Sequence, residues 1–152
     1  MAINPDFLGR TFTGDSPFVV GREHIRQFAE AIGDTNPMYH DVDAAKAAGY
    51  SDLVAPPTFL TAVALRRKTV DVHDPELNLN YDLVVHGEQR YRLERPVVAG
   101  DELVVTATIS AIRVAGRNEI ISTTYEFQTT AGESVGTAVS TLVSRGTAAG
   151  KD

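Results

Sequence analysis

The residues with the most chemical potential lie in one stretch, Gly33-Asp34-Thr35-Asn36-Pro37-Met38-Tyr39-His40-Asp41. It sets a carboxylate, Asp34, a few positions before an imidazole, His40. A carboxylate can accept a proton and an imidazole can donate one, so the pair could serve as base and acid. Gly33 is a natural helix stop, and the residues after it are poor helix formers, which puts the pair on a loop. The same letters also suit plain turn chemistry. In that reading Asp34 and Asn36 shape a turn before a proline, and His40 is a surface residue.

Composition narrows the field. The chain has 152 residues, 43% of them hydrophobic, which suits one domain with one sizeable core. Its net charge is -6, so it carries no basic footprint for nucleic acid. There is no cysteine, which removes disulfides, thiolate metal sites and a cysteine nucleophile. The histidines His24, His40, His73 and His86 are scattered and lack the spacing of a shared metal site. No metal and no cofactor are expected. The start, Met1-Ala2-Ile3-Asn4-Pro5, does not read as a signal peptide, and no apolar run approaches a membrane span. A soluble cytoplasmic protein with no membrane partner is expected.

The elements that must position the loop follow in order. Residues 1–14 read as an irregular lead-in with Phe7, Leu8 and Phe12 as anchors. Pro17 to Val20 is a short strand. From Arg22, Ile25, Phe28, Ala29 and Ile32 fall at helical spacing, and Gly33 stops the helix. After the loop, Asp43 to Ala48 is a short helix closed by Gly49. Ala55-Pro56-Pro57 opens a second long helix, Thr58 to about Thr69, with proline suited to the first turn. This helix is apolar nearly all round until Arg66-Arg67-Lys68, which predicts burial. Those cations suit a solvated helix end; the alternative is contact with phosphates. Strands follow: Leu83 to Leu93 with a bulge or close approach at Gly87, Glu102 to Val114, Glu119 to Thr129, and Ser134 to Ser144. His86-Gly87, Gly132 and Gly136 read as structural. Residues 1–145 form one domain, and 146–152 are expected to be a disordered tail.

Helices first and antiparallel strands after them indicate an α+β class. The economical way to bury so apolar a helix is a curved antiparallel sheet wrapped around it, the hot-dog fold. Long adjacent strands leave an open edge, and open edges invite pairing, so a dimer is the default.

Two motifs in this order resemble the MaoC-like hydratase/dehydratase family. Gly33-Asp34-Thr35-Asn36-Pro37-Met38-Tyr39-His40 is similar to its G/S-D-x-N-P-[LIV]-H signature. The stretch from Arg90 to Glu102, with Arg95-Pro96-Val97-Val98-Ala99-Gly100-Asp101, is similar to its F-x-x-P-V-x-x-G-D hallmark. Ala55-Pro56-Pro57-Thr58-Phe59 resembles the A-P-x-T-F run of short single-domain subunits of actinobacterial fatty-acid and mycolic-acid dehydratases. The resemblance implies interconversion of (R)-3-hydroxyacyl and trans-2-enoyl thioesters on coenzyme A or acyl carrier protein. It implies Asp34 and His40 as the acid–base pair and Asn36 as a brace or water-orienting group. Backbone N–H groups at the start of the central helix would hold the thioester oxygen, with Pro57, Thr58 and Phe59 around it. The helix and sheet would line an acyl tunnel.

The chain departs from the family pattern twice. Met38 and Tyr39 both separate Pro37 from His40, where the family has one residue. An extra residue turns a helical side chain by roughly 100°, so Tyr39 and His40 are expected to compete for one position near Asp34, with Tyr39 a substrate-binding candidate. Pro56 and Pro57 also lack N–H groups, which leaves Thr58 or Phe59 as oxyanion donor. Three functions remain open. The chain could be a hydratase/dehydratase, as a homodimer or beside a second MaoC-like subunit. It could be a non-catalytic acyl-chain-binding subunit that stabilises a catalytic hot-dog partner. Thioester hydrolysis ranks last, because thioesterases lack the D-x-N-P loop.

Overall fold

The structure is a computed structural model that describes residues 3–67 and 69–148. Its strands are β1 (Thr11–Thr13), β2 (Phe18–Val19), β3 (Val84–Leu93), β4 (Glu102–Ala115), β5 (Asn118–Thr129) and β6 (Ser134–Ser144). The helices are α1 (Arg22–Ile32), α2 (Val42–Ala47) and α3 (Phe59–Arg66). All strands join one antiparallel sheet in the order β1-β4-β5-β6-β3, and β2 also pairs with β4. The expected α+β class is what forms.

The sheet follows from alternation. On β4, Leu103, Val105, Ala107 and Ile109 are fully buried, and Val104, Thr106 and Thr108 between them are not. Strand side chains alternate faces, so such a pattern turns one face inward. A bulge between Ile109 and Ala111 then shifts the register, and Ile112 joins the buried side in place of an odd-numbered residue. Gly87 sits in a second bulge, where a Cβ would lie 2.9 Å from Val143 Cγ2. Gly136 allows β3 to approach β6: a Cβ there would lie 2.5 Å from the Arg92 carbonyl oxygen.

The main core is α3 against the sheet. Phe59, Leu60 and Val63 pack with Leu103, Val105, Phe127 and Val135, all buried. The helix is shorter than the expected Thr58-to-Thr69 span, because the backbone at Arg67 leaves helical geometry. Nor is it covered on every side. Leu65 is 80% exposed, and Ala62 and Ala64 are half-buried. A second cluster of Ile3, Phe7, Leu77, Ile109 and Ile121 ties the lead-in to the far end of the sheet. Phe7 and Phe12 anchor the lead-in as expected, but Leu8 faces solvent at 54% exposure. At the other terminus, Thr147 is buried and the Ala148 N–H donates to the Arg117 carbonyl. Of the expected tail, 149–152 lie outside the described residues.

The Pro96–Asp101 turn between β3 and β4 is held by charge. Arg95 makes two bonds to the Asp101 carboxylate, at 2.8 and 3.0 Å, and its Nε reaches Glu133 at 2.9 Å. These partners, Asp101 first, hold the Arg95 guanidinium well above its ordinary pKa. Asp101 Oδ2 also accepts the Val98 N–H at 2.9 Å. The Asp101 side chain is 12% exposed and that of Glu133 58%. Exposed pairs contribute little and buried charge-assisted bonds contribute more. Asp101→Ala is therefore expected to cost about 2 kcal/mol, and Glu133→Ala well under half of that. Urea unfolding of the two variants checks the ranking.

Candidate active site

Helix α1 delivers the loop. Ile25 and Ala29 bury one side of it, and Gly33 ends it in the left-handed conformation at φ 73°. The Gly33 N–H returns to Glu30 and the Asp34 N–H to Ala29, which satisfies the last carbonyls. Asp34 is half-buried immediately beyond the cap.

Three side chains then act in relay. Asp34 Oδ1 accepts the Asn36 N–H at 3.0 Å. Asn36 Oδ1 accepts the Met38 N–H at 3.1 Å and caps a single 3₁₀ turn, Pro37–Tyr39. Asp41 Oδ1 accepts from Asp43 at 2.8 Å and caps α2. This is the local turn chemistry that short polar side chains supply.

The 3₁₀ turn accommodates the extra residue. Tyr39 goes inward and is 8% exposed in the main core. His40, at the end of the turn, brings its ring back to the start of the loop. Its Nε2 lies 2.8 Å from the Asp34 carbonyl oxygen. A carbonyl only accepts, so Nε2 carries a hydrogen, and in the neutral ring the lone pair is then on Nδ1. Arg26 Nε donates to the His40 carbonyl at 2.9 Å, so the residue is held at ring and backbone. The imidazole and the Asp34 carboxylate share no hydrogen bond. His40 Nδ1 and Asp34 Oδ2 have no partner among the described residues. Burial pushes the Tyr39 phenol above its ordinary pKa, and the charge of Asp34 and then Tyr50 add to it. Tyr39 is thus a neutral donor near the Asp34 carboxylate.

The start of α3 adjoins this loop. The Val54 N–H donates to the Met38 carbonyl at 3.1 Å, and Ala55-Pro56-Pro57-Thr58 follow directly. Phe59 is buried, and its N–H is committed to the Pro56 carbonyl at 2.9 Å. Pro57 and Thr58 are exposed, and the Thr58 N–H has no acceptor among the described residues. Of the two donors the sequence left open, Thr58 is the available one. Between α3 and the sheet, where the acyl tunnel was expected, lies a cleft of about 40 Å³ lined by Thr61, Ala64, Leu65, Gln89, Tyr125 and Ser140 among others. A cavity that takes benzene measures about 150 Å³. No group of three His, Cys, Asp or Glu able to hold a metal is found among the described residues.

Arg26 and the pair Arg22–Asp52 were not singled out from the sequence. Arg22 grips Asp52 through two bonds, at 2.9 and 2.8 Å, and fixes the start of α1 to the segment before α3. A signal existed: a cation in the first turn opposes the helix dipole and asks for a carboxylate partner.

A family model described as "FAS1-like, dehydratase domain region" matches residues 6–138. The chain belongs to this family, and its fold is that of the MaoC-like hot-dog dehydratases. It is 61% identical over 148 residues to the UPF0336 protein of Parafrankia sp. (strain EAN1pec), covering 97% of this chain and 98% of that one. Among solved structures it is similar to a chain of the C-terminally truncated HadBC (3R-hydroxyacyl-ACP dehydratase) complex of Mycobacterium tuberculosis. That match has TM-score 0.80 and 30% identity, and covers 93% of this chain and 99% of that one. A MaoC-like dehydratase matches with TM-score 0.82 and 34% identity, over 91% of this chain and 42% of that longer one. The resemblance carried by the two motifs and the expected fold are therefore both correct.

The Arg22 hydrogen bonds lower the Asp52 pKa from 3.8 to about 2. A carboxylate depressed on folding stabilises the fold above its unfolded pKa, and that contribution disappears as pH falls through the folded value. Asp52→Asn should lower Tm at neutral pH and flatten the fall of Tm between about pH 4 and pH 2. Thermal melts across that range check it.

Proposed function

We propose that this chain is an (R)-3-hydroxyacyl-thioester dehydratase/enoyl-thioester hydratase, or a subunit of one, acting on acyl-CoA or acyl-ACP in fatty-acid metabolism. The observation that carries this reading is the His40 ring, pinned through Nε2 beside Asp34, with Nδ1 and Asp34 Oδ2 both uncommitted. A carboxylate oxygen and the bare nitrogen of a neutral imidazole can each accept a proton, and the reaction needs such an acceptor. One proton leaves the carbon next to the thioester carbonyl, the carbon–oxygen bond to the hydroxyl breaks, and the same proton completes the departing water. Asp34 and His40 together accept and return that proton. The Thr58 N–H, at the positive end of α3, supports the negative oxygen of the enolate-like intermediate. Asn36 shapes the loop, Tyr39 offers a neutral hydroxyl, and Pro57 and Phe59 flank the thioester.

A second reading has its own support. Phe59's N–H is committed elsewhere, the cleft beside α3 is small, Leu65 is exposed, and the outer edge of β3 has no strand partner among the described residues. These features fit a subunit that lacks full activity alone and completes an acyl site with a catalytic hot-dog partner. A homodimer or a heterodimer with a second MaoC-like subunit would each cover them.

Hydration of crotonyl-CoA, by the chain alone and with a co-expressed second hot-dog subunit, tests both readings. Asp34→Asn keeps the shape and removes the proton acceptor. It should cut the rate by about 100-fold or more with little change in Tm. Equal rates with the second subunit present, and none by the chain alone, would remove Asp34 from catalysis and leave the acyl-binding reading.

A further inference from the structure

A cavity of about 180 Å³ opens between the N-terminal half of α1 and the outer side of α3, lined in part by Phe18, Phe28, Phe59, Ala62, His24 and Arg66. None of its lining residues lies on the Asp34–His40 loop, and Phe59 is the one it shares with the start of α3 described above. Its floor is aromatic. Phe18 and Phe28 each meet the Phe59 ring edge-on, at 6.2 Å and 5.5 Å between centroids. The His24 ring lies 5.5 Å from Phe18.

The polar groups sit at the rim. His24 Nδ1 is buried without a partner, walled in beside Gly21, which leaves Nε2 for a ligand. Arg66 is exposed and makes no ion pair among the described residues. Its neighbour Arg67 is tied down: it bonds Ser16, pairs with Asp15 at 3.8 Å and lies over the Phe18 ring. Of the two described cations of the basic run, Arg67 is structural and Arg66 stands at the mouth of a phenyl-lined hollow without an ion pair among the described residues. Three polar side chains, His24, Gln27 and Arg66, edge a lining that is otherwise aromatic and apolar. An apolar group with a negative end fits both parts.

We propose that this cavity binds a small amphiphilic carboxylate. The apolar part enters among Phe18, Phe28, Phe59 and Ala62, and the carboxylate meets the Arg66 guanidinium and His24. A cavity of about 150 Å³ holds a benzene ring, so the apolar part is a phenyl group or an alkyl chain of about six to eight carbons. The guanidinium fork matches a carboxylate in two parallel bonds. The site does not depend on the acid–base reading of Asp34 and His40.

Amide chemical-shift titration of the whole chain with octanoate and with hydrocinnamate tests this, with octanol as the uncharged control. Saturable shifts should centre on His24, Phe28, Phe59 and Ala62. The tighter acid identifies whether the alkyl or the aryl class is preferred. Arg66→Met should weaken either acid by about tenfold or more, as loss of a charge-assisted bond does. Ala62→Phe fills the hollow and should abolish the shifts, while Asp34→Asn should bind as the unaltered chain does. No saturable shifts, octanol binding as tightly as octanoate, or unchanged affinity in Arg66→Met would each overturn the proposal. Arg66 is exposed, so that variant remains decisive even where Ala62→Phe fails to fold.

Discussion

The bond between Arg95 and Asp101 sets the position of almost everything near the candidate site. It closes the turn between β3 and β4, and the rim of that turn does the rest. The Ala55 N–H donates to Val97, and the Ala99 N–H donates to Leu53. The Val20 N–H donates to Asp101, and the Gly100 N–H to Val20. The segment before α3 is thus strung along the turn by backbone bonds, and the Val54 N–H passes the connection on to Met38. The Asp34–His40 loop belongs to no strand. Its place relative to α3 comes from a turn sixty residues later in the chain, and a weakened turn would loosen the site without touching one of its side chains.

A second constraint runs along β3. The strand pairs with β6 on one side and has no partner on the other among the described residues. Gln89 on β3 and Leu65 on α3 line the same cleft, and the Tyr91 hydroxyl bonds the Thr61 hydroxyl. The uncovered apolar side of the helix therefore adjoins the unpaired edge. An open edge and exposed apolar side chains are each costly alone. One second hot-dog subunit laid along β3 would cover both.

The fold was legible because its signals are periodic. Alternation on β4 and β5, helical spacing in α1 and an apolar α3 each report burial of one face. What alternation cannot report is a change of phase. The bulge after Ile109 sends Ile112 inward, and nothing in the letters at 109–112 marks it. The length of α3 was over-read for a related reason: Arg66, Arg67 and Lys68 are good helix formers. Arg67 instead leaves the helix to reach Ser16 and Asp15, which lie far away in sequence. The site shows the same division. Asp34, Asn36 and Gly33 announce a turn locally, but His40 closing on the Asp34 main chain depends on how tightly the intervening residues wind. Three residues per turn in a 3₁₀ segment give a different answer from the 3.6 of an α-helix.

Turn chemistry and acid–base chemistry fall on different atoms of the same loop side chains. Asp34 has two carboxylate oxygens: Oδ1 holds the Asn36 N–H, and Oδ2 has no partner. His40 has two ring nitrogens: Nε2 holds the Asp34 carbonyl, and Nδ1 has none. In each side chain one polar atom builds the loop and the other is left over. Asn36, whose Oδ1 caps the 3₁₀ turn, contributes to the fold first. A group fixed by one of its own atoms needs little further reorganisation to present the other, which is the physical condition for efficient proton transfer. Turn chemistry at Asp34 and His40 is thus the means by which a loop without a strand could hold an acid–base pair still.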